Sequence, residues 1–476
     1  MAIYETQSVC PPQDRFLWGD TRYHKKRGGG DLFSIPDGVR QVLGRLTGLG
    51  FEAHLVGGCV RDLLMGREPH DFDVATSALP EQVKCALCGL RVIETGLRHG
   101  TVTALAGGQA VEVTTYRVDG GYSDGRHPDS VRFTDELTQD LARRDFTVNA
   151  MALSPKGELV DPFGGRDDLG RRLLRAVGEP AHRFEEDALR ILRALRFGSV
   201  LGFAIEADTA RAVHECRALL ERVSAERIAA ELVRLLCGQD AREILLEYPD
   251  VLGVFVPELL PMVGFEQRSK YHLYDVYTHT VEALAAVRPV PVLRLSLLLH
   301  DVGKPETFTL GRDGAGHFYG HALRGSEMAR DILRRLRFDN ETVDTVCELI
   351  LSHDIPIERS ERAVRRWLGR LGEKRLRLLL EVKRADNAAH APGVSSRAQQ
   401  LDEVESILAR VLEQGACFCL RDLAVKGGDL IALGIPPGPG LGALLQKLLD
   451  AVIEGRCQNE RDVLLGYAEE LRSQTP

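Results

Sequence analysis

The hydrophobic periodicity of this chain changes once, near Arg171, and the change limits the folds that the chain can adopt. Between residues 39 and 151, short β-branched runs such as residues 111–116 alternate with helical stretches and glycine turns. Such alternation is typical of a mixed sheet flanked by helices. From Arg171 onward the apolar residues follow a helical spacing, as in residues 189–195. The sequence therefore predicts the α+β class, with one sheet-containing domain followed by all-helical domains.

The composition is that of an ordinary globular protein. The 476 residues are 44% hydrophobic and 27% charged, which excludes fibres and wholesale disorder. No run approaches the roughly 20 apolar residues of a membrane span, and residues 1–30 lack the apolar stretch of a signal peptide. We therefore expect a cytoplasmic protein with no membrane partner, in which residues 1–30 form a disordered tail. The net charge of −8 argues against a surface covered on all sides by nucleic acid but leaves room for a local basic face.

Two glycines and three carboxylates form the first candidate site. Gly57 and Gly58 stand where a predicted strand runs into a helix, which lets the backbone approach a phosphate closely. Asp71 and Asp73 project from one face of a strand, and Glu112 is the strand-borne candidate for a third carboxylate. Such oxygen ligands suit Mg²⁺, which activates an attacking hydroxyl and stabilises leaving pyrophosphate in nucleotidyl transfer. The alternatives are a solvated turn for the aspartates and an edge-strand surface charge for Glu112.

This pattern resembles the class II tRNA nucleotidyltransferases, the CCA-adding enzymes and their poly(A) polymerase relatives. The resemblance rests on residues 55–62 (LVGGCVRD), residues 71–73 and residues 143–150 (RRDFTVNA). It implies a polymerase-β-like head in which Asp71 and Asp73 hold Mg²⁺. It also implies a set of residues that bind the triphosphate or the ribose of the incoming nucleotide: Gly57, Gly58, Arg61, Arg144, Asp145 and Asn149.

Residues 185–197 (EEDALRILRALRF) predict a single amphipathic helix with Arg190 and Arg193 opposite its apolar face. Cytosine and adenine both present an amine donor beside a ring-nitrogen acceptor. Asp187 can accept and Arg190 can donate, so this pair could select C and A without a nucleic-acid template. The resemblance supports this role because Glu186, Asp187 and Arg190 match the family's Glu-Asp-x-x-Arg motif, and it places Arg193 near the triphosphate. The alternative is a solvated charged face held by pairs along the helix.

A second candidate site consists of histidines and aspartates in the helical half. Mixed imidazole and carboxylate ligands suit a divalent transition metal better than Mg²⁺ alone. The set resembles an HD-domain phosphohydrolase, and that resemblance assigns metal ligation to His279, His300, Asp301 and Asp386. His321 and His353 match the additional ligands of HD relatives with two metals, although single histidines are more often surface or core residues.

Further segments bear on RNA binding. Residues 117–128 are Gly-rich, and in the resembling family a loop of this type accompanies terminal A addition; a plain surface hairpin is the alternative. Residues 359–384 carry ten basic residues and three acids, which favours contact with tRNA phosphates or a charged helix face exposed to solvent. Residues 224–232 resemble a family motif that stabilises the turn below the nucleotide pocket. Residues 425–442 resemble the family's tRNA-contacting tail.

These observations predict a polymerase-β-like head followed by helical neck, body, HD domain and tail. The expected activity is Mg²⁺-dependent addition of CCA to the 3′ end of tRNA from CTP and ATP, with an HD phosphohydrolase acting on RNA 3′ ends. An A-only adding enzyme and a poly(A) polymerase would share these motifs, and a rival of another class is an HD phosphohydrolase with an inert RNA-binding head. The predicted division is a tail at residues 1–30, a nucleotidyltransferase head at 31–165, a neck and RNA- or nucleotide-binding domain at 166–260, an HD domain at 261–390 and a tRNA-binding tail at 391–476.

Overall fold

The computed structural model describes residues 33–97, 100–121, 130–269, 273–390, 395–415 and 417–473. The predicted tail at residues 1–30 and most of the Gly-rich loop beyond Gly121 lie outside the described residues. The chain divides into two compact units, Met1–Glu186 with Ala204–Thr209 and Asp187–Phe203 with Ala210–Pro476.

A mixed sheet forms the centre of the first unit. The strands of this unit are β1 (Ala53–Val56), β2 (Phe72–Thr76), β3 (Arg91–Gly96), β4 (Thr101–Ala106), β5 (Gln109–Thr115), β6 (Arg117–Asp119), β7 (Val131–Phe133), β8 (Ala152–Leu153), β9 (Leu159–Val160), β10 (Leu173–Leu174) and β11 (Ala204–Ile205). Seven of them form one sheet in the order β3-β4-β5-β2-β1-β8-β9, while β6 pairs with β7 and β10 with β11. Within the large sheet β2 and β5 are parallel, and the other neighbours are antiparallel.

Short helices accompany this sheet, and a glycine or proline stands at the start of most of them. They are α1 (Asp37–Gly48), α2 (Gly58–Leu64), α3 (Pro80–Ala86), α4 (Leu137–Ala142), α5 (Gly165–Arg171) and α6 (Pro180–Glu186), with a 3-10 turn at Thr147–Asn149. The buried face of α1 carries Val39, Val42 and Leu46 at helical spacing. This face completes the core beneath β4 and β5.

The described part of the second unit is helical apart from one small hairpin and the connecting turns. Its helices are α7 (Leu189–Leu201), α8 (Ala207–Glu215, which begins in the first unit), α9 (Ala225–Leu236), α10 (Ala241–Glu247), α11 (Pro249–Leu252), α12 (Val276–Ala286), α13 (Pro291–Leu299), α14 (Lys304–Thr307), α15 (His321–Arg335), α16 (Asn340–Ser352), α17 (Glu361–Ala388), α18 (Ser395–Glu413), α19 (Gly427–Ala432), α20 (Pro439–Ile453) and α21 (Arg461–Ser473). The hairpin pairs β12 (Thr309–Leu310) with β13 (Gly316–His317). Further 3-10 turns lie at Arg217–Arg222, Pro257–Met262 and Leu420–Asp422. The α+β fold class is confirmed, and within the described ranges no helix is long and apolar enough to cross a membrane.

Local sequence explains where the helices of the second unit begin and end. Asp275 caps α12 by accepting from the backbone N–H groups of Tyr277 and Thr278. Pro291 opens α13, whose side chains are buried from Leu293 to Leu299. Both helices therefore enter the core with fixed ends, which holds the residues at those ends in place.

The prediction of one helix over residues 185–197 is wrong. Helix α6 ends at Glu186 and α7 begins at Leu189. The Asp187 carboxylate accepts a hydrogen bond from the backbone N–H of Leu189 at 3.1 Å. An aspartate that bonds a backbone N–H ahead of it favours a new helix start over an uninterrupted helix.

Candidate active sites

The register of β2 and β5 brings together two of the predicted catalytic carboxylates. The two strands run in parallel with Asp73 opposite Glu112. Their neighbours along each strand, such as Val74 and Val113, are buried, so the carboxylates lie on the face turned away from the core. Asp73 and Glu112 line a cavity of about 220 Å³.

Asp71 lies one residue before β2 and is exposed. Burial raises the pKa of Asp73, and the negative charge of Asp71 adds to the increase, while Arg144 opposes it. The pKa of Glu112 is raised mainly by burial, and the negative charges of Asp73 and Asp71 add to the increase. The three carboxylates thus repel one another across a short distance. Clustered oxygen donors of this kind fit a hard divalent cation such as Mg²⁺.

Gly57 lets the backbone pass close to these charges. It precedes α2 with a φ of 77°, and a Cβ there would lie 3.0 Å from Arg144 Nη1 and 3.7 Å from Asp73 Oδ2. Gly58 begins the helix beside Arg61. Arg144 is held by the buried Asp140, with 3.4 Å between Nη2 and Oδ2. Because Gly57 has no side chain, space remains beside the Asp73 carboxylate and the Arg144 guanidinium.

Three predicted nucleotide-binding residues form one internal hydrogen-bond network. Arg61 Nη1 donates to Asn149 Oδ1 at 2.8 Å, and Asn149 Nδ2 donates to Asp145 Oδ1 at 3.2 Å. Asp145 Oδ1 also accepts from the backbone N–H of Phe146. All three side chains are largely buried. The structure thus brings together the residues predicted to bind nucleotide, and their contact with a ribose stays a prediction.

In the second unit, Asp187 is held by a residue that the base-selection hypothesis did not include. Arg227 Nη2 donates to both carboxylate oxygens of Asp187, at 3.2 Å and 3.0 Å. Arg227 lies on α9, in the segment that resembles the family's turn-stabilising motif. A carboxylate held at two oxygens has a fixed orientation, which a base-reading group requires.

The remaining residues of the Glu-Asp-x-x-Arg segment have different surroundings. Arg190 and Arg193 are half-buried on α7, opposite buried Ile191 and Leu192, as the helical period predicts. The Arg193 guanidinium carbon lies 5.4 Å from the centre of the Phe197 ring. Glu186 belongs to the first unit, where its carboxylate is 2.8 Å from Arg183 Nη2. Their contacts with a nucleotide stay predictions.

The four predicted ligands of the HD metal come together in the second unit. His279 lies on α12, His300 and Asp301 directly follow α13, and Asp386 lies on α17. His279 Nε2 is 2.9 Å from Asp386 Oδ1 and 3.7 Å from Asp301 Oδ2. His300 Nε2 is 3.2 Å from Asp301 Oδ2 and 3.5 Å from Asp386 Oδ1. The side chains therefore converge on one point from three helices or helix ends.

His321 and His353, predicted for a second metal, adjoin this cluster. Their Nε2 atoms are 3.4 Å apart, and they lie 3.7 Å and 3.9 Å from Asp301 Oδ1. Both histidines are buried. The structure thus brings all six predicted residues together, with Asp301 between the two groups of histidines.

The ring orientation of the four histidines suits metal binding. In each ring Nδ1 lies within hydrogen-bond distance of a backbone carbonyl, with the pairs being His279 with Ala389, His300 with Leu297, His321 with Phe318 and His353 with Ile350. A carbonyl oxygen only accepts, so Nδ1 carries the proton and Nε2 of a neutral ring is left as the ligand atom. Asp301 Oδ1 is buried without a hydrogen bond within the described part of the chain. This donor set fits a divalent transition metal.

The charges of the cluster also suit a divalent metal cation. Burial lowers the pKa of His300, but the adjacent Asp301 and Asp386 carboxylates outweigh it and raise the pKa to about 10. Burial and the charge of His300 lower the pKa of His353 to about 3. The buried Asp301 carboxylate and the half-buried Asp386 carboxylate therefore draw a positive charge into the cluster, and His353 stays neutral beside it.

The basic segment at residues 359–384 is less basic than its own sequence indicates. Acidic side chains, several of them on other helices, lie within ion-pair distance of most of its cations: Arg359 with Glu403, Arg365 with Glu361, Arg366 with Glu454, Arg370 with Glu348, Lys374 with Glu341, Arg377 with Glu373, and Arg384 with Asp402. These pairs favour the alternative of a charged face exposed to solvent. Exposed pairs are worth about 0–1 kcal/mol each, so a phosphate could still displace the acids.

Comparison with known proteins identifies the chain. Residues 53–175 match the poly A polymerase head domain, residues 202–262 match a probable RNA- and SrmB-binding site of polymerase A, and residues 321–468 match a putative tRNA nucleotidyltransferase domain 2. The CCA-adding enzyme of Lactobacillus helveticus is 34% identical over 431 residues, which cover 90% of this chain and 96% of that protein. The chain belongs to the class II CCA-adding enzyme and poly(A) polymerase family. It is accordingly a nucleotidyltransferase.

Other members of this CCA-adding enzyme family are similar to the chain over nearly its whole length. The CCA-adding enzyme of Geobacillus stearothermophilus is 35% identical over 437 residues, covering 90% of this chain and 95% of that protein. A crystal structure of the Bacillus stearothermophilus CCA-adding enzyme in complex with CTP has 31% identity and a TM-score of 0.70, and the match covers 92% of this chain and 97% of that one. The Thermotoga maritima CCA-adding enzyme complexed with tRNA shares the fold, with 22% identity and a TM-score of 0.57 over 91% of this chain and 95% of that one.

Two residues of this CCA-adding family member were missed as site residues by the sequence reasoning. Arg227 was seen only as part of a turn-stabilising motif, although it is the partner of Asp187. His390 lies four residues after Asp386, and its ring packs edge-on against His279 with 5.0 Å between centroids. His390 follows the end of α17, and its Nδ1 lies 2.8 Å from the Asp386 carbonyl oxygen, so its closeness in the chain to a metal ligand is the signal that could have found it.

Proposed function

We propose that this protein adds CCA to the 3′ end of tRNA from CTP and ATP without a nucleic-acid template. The observation that carries the proposal is the meeting of Asp73 and Glu112 on adjacent parallel strands, with Asp71 beside them, Arg144 at the same cavity and Gly57 next to Arg144. The names of the relatives, which are CCA-adding enzymes, support the product. The proposal includes a cytoplasmic location, and it retains the five-part division with its head at residues 31–165.

In the head, the carboxylates and the arginines have separate tasks. Asp71 and Asp73 would hold Mg²⁺ with Glu112 nearby, and the ion would supply activation of the tRNA 3′-hydroxyl and neutralisation of developing phosphate charge. Gly57 and Gly58 leave room for the triphosphate beside Arg144. Asp145 and Asn149 position the ribose through the network that Arg61 anchors.

Base selection is assigned to Asp187 and Arg190. Asp187 accepts from the exocyclic amine that C and A share, and Arg190 donates to the adjacent ring nitrogen. Uracil and guanine present the reverse pattern and would leave Asp187 and Arg190 without hydrogen-bond partners. In a desolvated site this loss strongly lowers the rate with the wrong nucleotide. Arg227 keeps Asp187 in the orientation that this reading needs. Arg193 and Glu186 are proposed to lie beside the nucleotide.

The test is extension of two labelled tRNA transcripts, one ending at the discriminator base and one ending in CC, with each nucleotide alone and in mixtures. Addition of CCA followed by arrest supports the proposal. Extension of only the CC-ended transcript would replace it with A-only addition, and long A tails would replace it with poly(A) synthesis. No extension by the intact protein, with release of phosphate from RNA ends, would favour an inert RNA-binding head.

A second function is favoured by the cluster around Asp301. We propose that it is a metal-dependent phosphohydrolase acting on phosphorylated RNA 3′ ends. The supporting observation is the common orientation of His279, His300, His321 and His353, with Nδ1 bonded to backbone and Nε2 directed at the carboxylates. Water would first cleave the P–O3′ bond of a 2′,3′-cyclic phosphate, which frees the 3′-hydroxyl that the head must extend and leaves a 2′-phosphate. A second water would release that group as inorganic phosphate, so the two sites would act in sequence.

Replacement of the cluster separates this function from nucleotide addition. His300→Ala and Asp301→Ala are expected to abolish release of phosphate from a tRNA ending in 2′,3′-cyclic phosphate while CCA addition to a tRNA with a free 3′-hydroxyl persists. His182→Ala, an exposed histidine of the first unit, is the control. Loss of both activities together, with a lowered Tm, would make the cluster structural.

A further inference from the structure

The cleft over the Asp301 cluster has an aromatic side that the metal ligands do not explain. Its volume is about 320 Å³, and besides Asp301 and Asp386 it is lined by His317, Phe318 and Tyr319. The rings of His317 and Tyr319 stack with 5.4 Å between centroids and 11° between planes. Tyr319 is 78% exposed, so one face of the stacked pair is open to solvent. An exposed, flat, preformed aromatic surface at the mouth of a polar cleft is suited to another planar group.

The segment that carries this pair is held firmly from behind. Phe318 packs against Phe308 and Phe265, with ring centroids 5.6 Å and 6.5 Å away. His317 ends β13 and pairs with Thr309 in the hairpin. Gly320 then takes a φ of 80° and allows α15 to begin directly after Tyr319. Tyr319 is thus exposed on a fixed backbone between a hairpin and a helix, and its ring loses little freedom on stacking.

The other cleft residues supply groups for an anion. Arg397 lines the cleft, is exposed, and forms no ion pair with any residue that the structure describes. Arg384 on α17 is by contrast paired with Asp402 and Glu405 of α18. The cleft therefore combines a metal-ligand cluster, an available guanidinium and a stacking surface. A bare phosphate would use the first two and leave the aromatic pair without a role.

We infer that Tyr319, backed by His317, is a stacking platform for the nucleobase that adjoins the phosphate bound at the Asp301 cluster. The inference rests on the proposed phosphohydrolase function and narrows its substrate to nucleoside phosphates, including the terminal nucleotide of RNA. Stacking is tolerant of base identity because every base has a flat face. The platform therefore distinguishes a nucleotide from other phosphate esters and does not distinguish one base from another.

Photo-crosslinking tests the position of the base without requiring turnover. The full-length protein is irradiated with 8-azidoadenosine 2′-phosphate in EDTA, and tryptic peptides are mapped. The adduct is expected on the peptide of residues 313–324, to be competed by 2′-AMP but not by glycerol 2-phosphate, and to fall about tenfold in Tyr319→Ala. Leu323→Ala, a change at a 57% exposed residue that does not line the cleft, is the matched control. An adduct confined to other peptides overturns the inference.

Steady-state kinetics with two monoesters gives the second readout. For 2′-AMP, Tyr319→Ala is expected to raise KM about tenfold with kcat retained, and Tyr319→Phe to stay near wild type. For glycerol 2-phosphate, which lacks a base, neither variant should change KM. Equal effects on both substrates overturn the platform and leave the phosphohydrolase standing. If the wild-type protein hydrolyses neither ester, the phosphohydrolase proposal fails, and the mapped adduct alone decides whether the platform binds a base.

Discussion

Asp73 on β2 lies directly opposite Glu112 on the parallel strand β5, and its negative charge helps to raise the pKa of Glu112. Parallel neighbours in register share a face, so both carboxylates look into the same cavity while Val74 and Val113 enter the core. The catalytic use of the pair depends on this register. A shift of one residue on either strand would turn one carboxylate into the core.

Removal of either charge is expected to lower nucleotide addition. Asp73→Asn should reduce the rate of CCA addition by about 100-fold or more, and Glu112→Gln by about tenfold, because both lose negative charge at the cation site without loss of volume. The measurement is single-turnover extension of a tRNA ending at the discriminator base. Glu94→Gln is the control, since Glu94 is a half-exposed acid on β3 of the same sheet. A full rate in Glu112→Gln would restrict catalysis to the two aspartates.

Gly57→Ala tests the close approach of backbone to the charged groups. An added Cβ would lie 3.0 Å from Arg144 Nη1, so Arg144 must move away from the carboxylate that it faces. Gly66→Ala is the matched control, because Gly66 has a similar φ of 69° but nothing within 4 Å of its added Cβ. Both variants should lose about 1 kcal/mol of unfolding free energy to backbone strain, and only Gly57→Ala should lose activity, by about tenfold or more. Equal activities in the two variants would contradict this role.

Arg227→Met tests the support of Asp187. Without the guanidinium the Asp187 carboxylate loses its orientation, so discrimination against UTP and GTP is expected to fall about tenfold. The measurement is the ratio of kcat/KM for CTP to that for UTP on the tRNA that lacks CCA. Arg234→Met, a change at an exposed residue of the same helix, is the control. An unchanged ratio together with a lowered Tm would assign Arg227 a purely structural part.

Sequence patterns predicted the parts of the sites that local periodicity controls. The alternation within each run placed Asp73 on the strand face opposite Val74 and Glu112 on a strand, and the apolar period of α7 placed Arg190 and Arg193 opposite the core. The class of fold followed from the change of period near Arg171. Each of these features depends on residues that are close in the chain, which a single sequence contains.

Features that depend on distant partners were not predictable in the same way. Several cations of residues 359–384 meet acids that are far away in the chain, as with Arg366 and Glu454, which are 88 residues apart, so a local count of charge overstated the basic surface. The break between α6 and α7 depends on a side chain that competes for a backbone N–H, which periodicity does not detect. No sequence pattern indicates that His317 and Tyr319 form part of a binding site, because only the fold places this pair at the cleft of the Asp301 cluster.

Cys59 is expected to resist alkylation although it adjoins the catalytic strand. Burial raises the pKa of its thiol from 9.0 to about 11, and its Sγ lies 3.2 Å from the Val56 carbonyl oxygen. At pH 8 iodoacetamide should label the exposed Cys85 and Cys88 quickly and Cys59 only on unfolding. Because the folded state keeps a proton that the unfolded state releases, this thiol lowers stability as pH rises from about 9 to about 11. Peptide mapping by mass spectrometry measures the labelling, and rapid modification of Cys59 at pH 8 would contradict its burial.

Metal binding at the Asp301 cluster should stabilise the second unit. The folded protein presents four Nε2 atoms, the buried Asp301 carboxylate and the half-buried Asp386 carboxylate, which the unfolded chain does not hold together. Titration of metal-free protein with Co²⁺ is expected to give a visible absorption band and to raise the unfolding free energy by about 2.7 kcal/mol at free metal of 100 times Kd. His279→Ala should lose the band, whereas His182→Ala, a change at an exposed histidine, should keep it. If a second ion binds, His321→Ala should halve the metal content of the saturated protein, and an unchanged content would assign His321 and His353 to packing around a single ion.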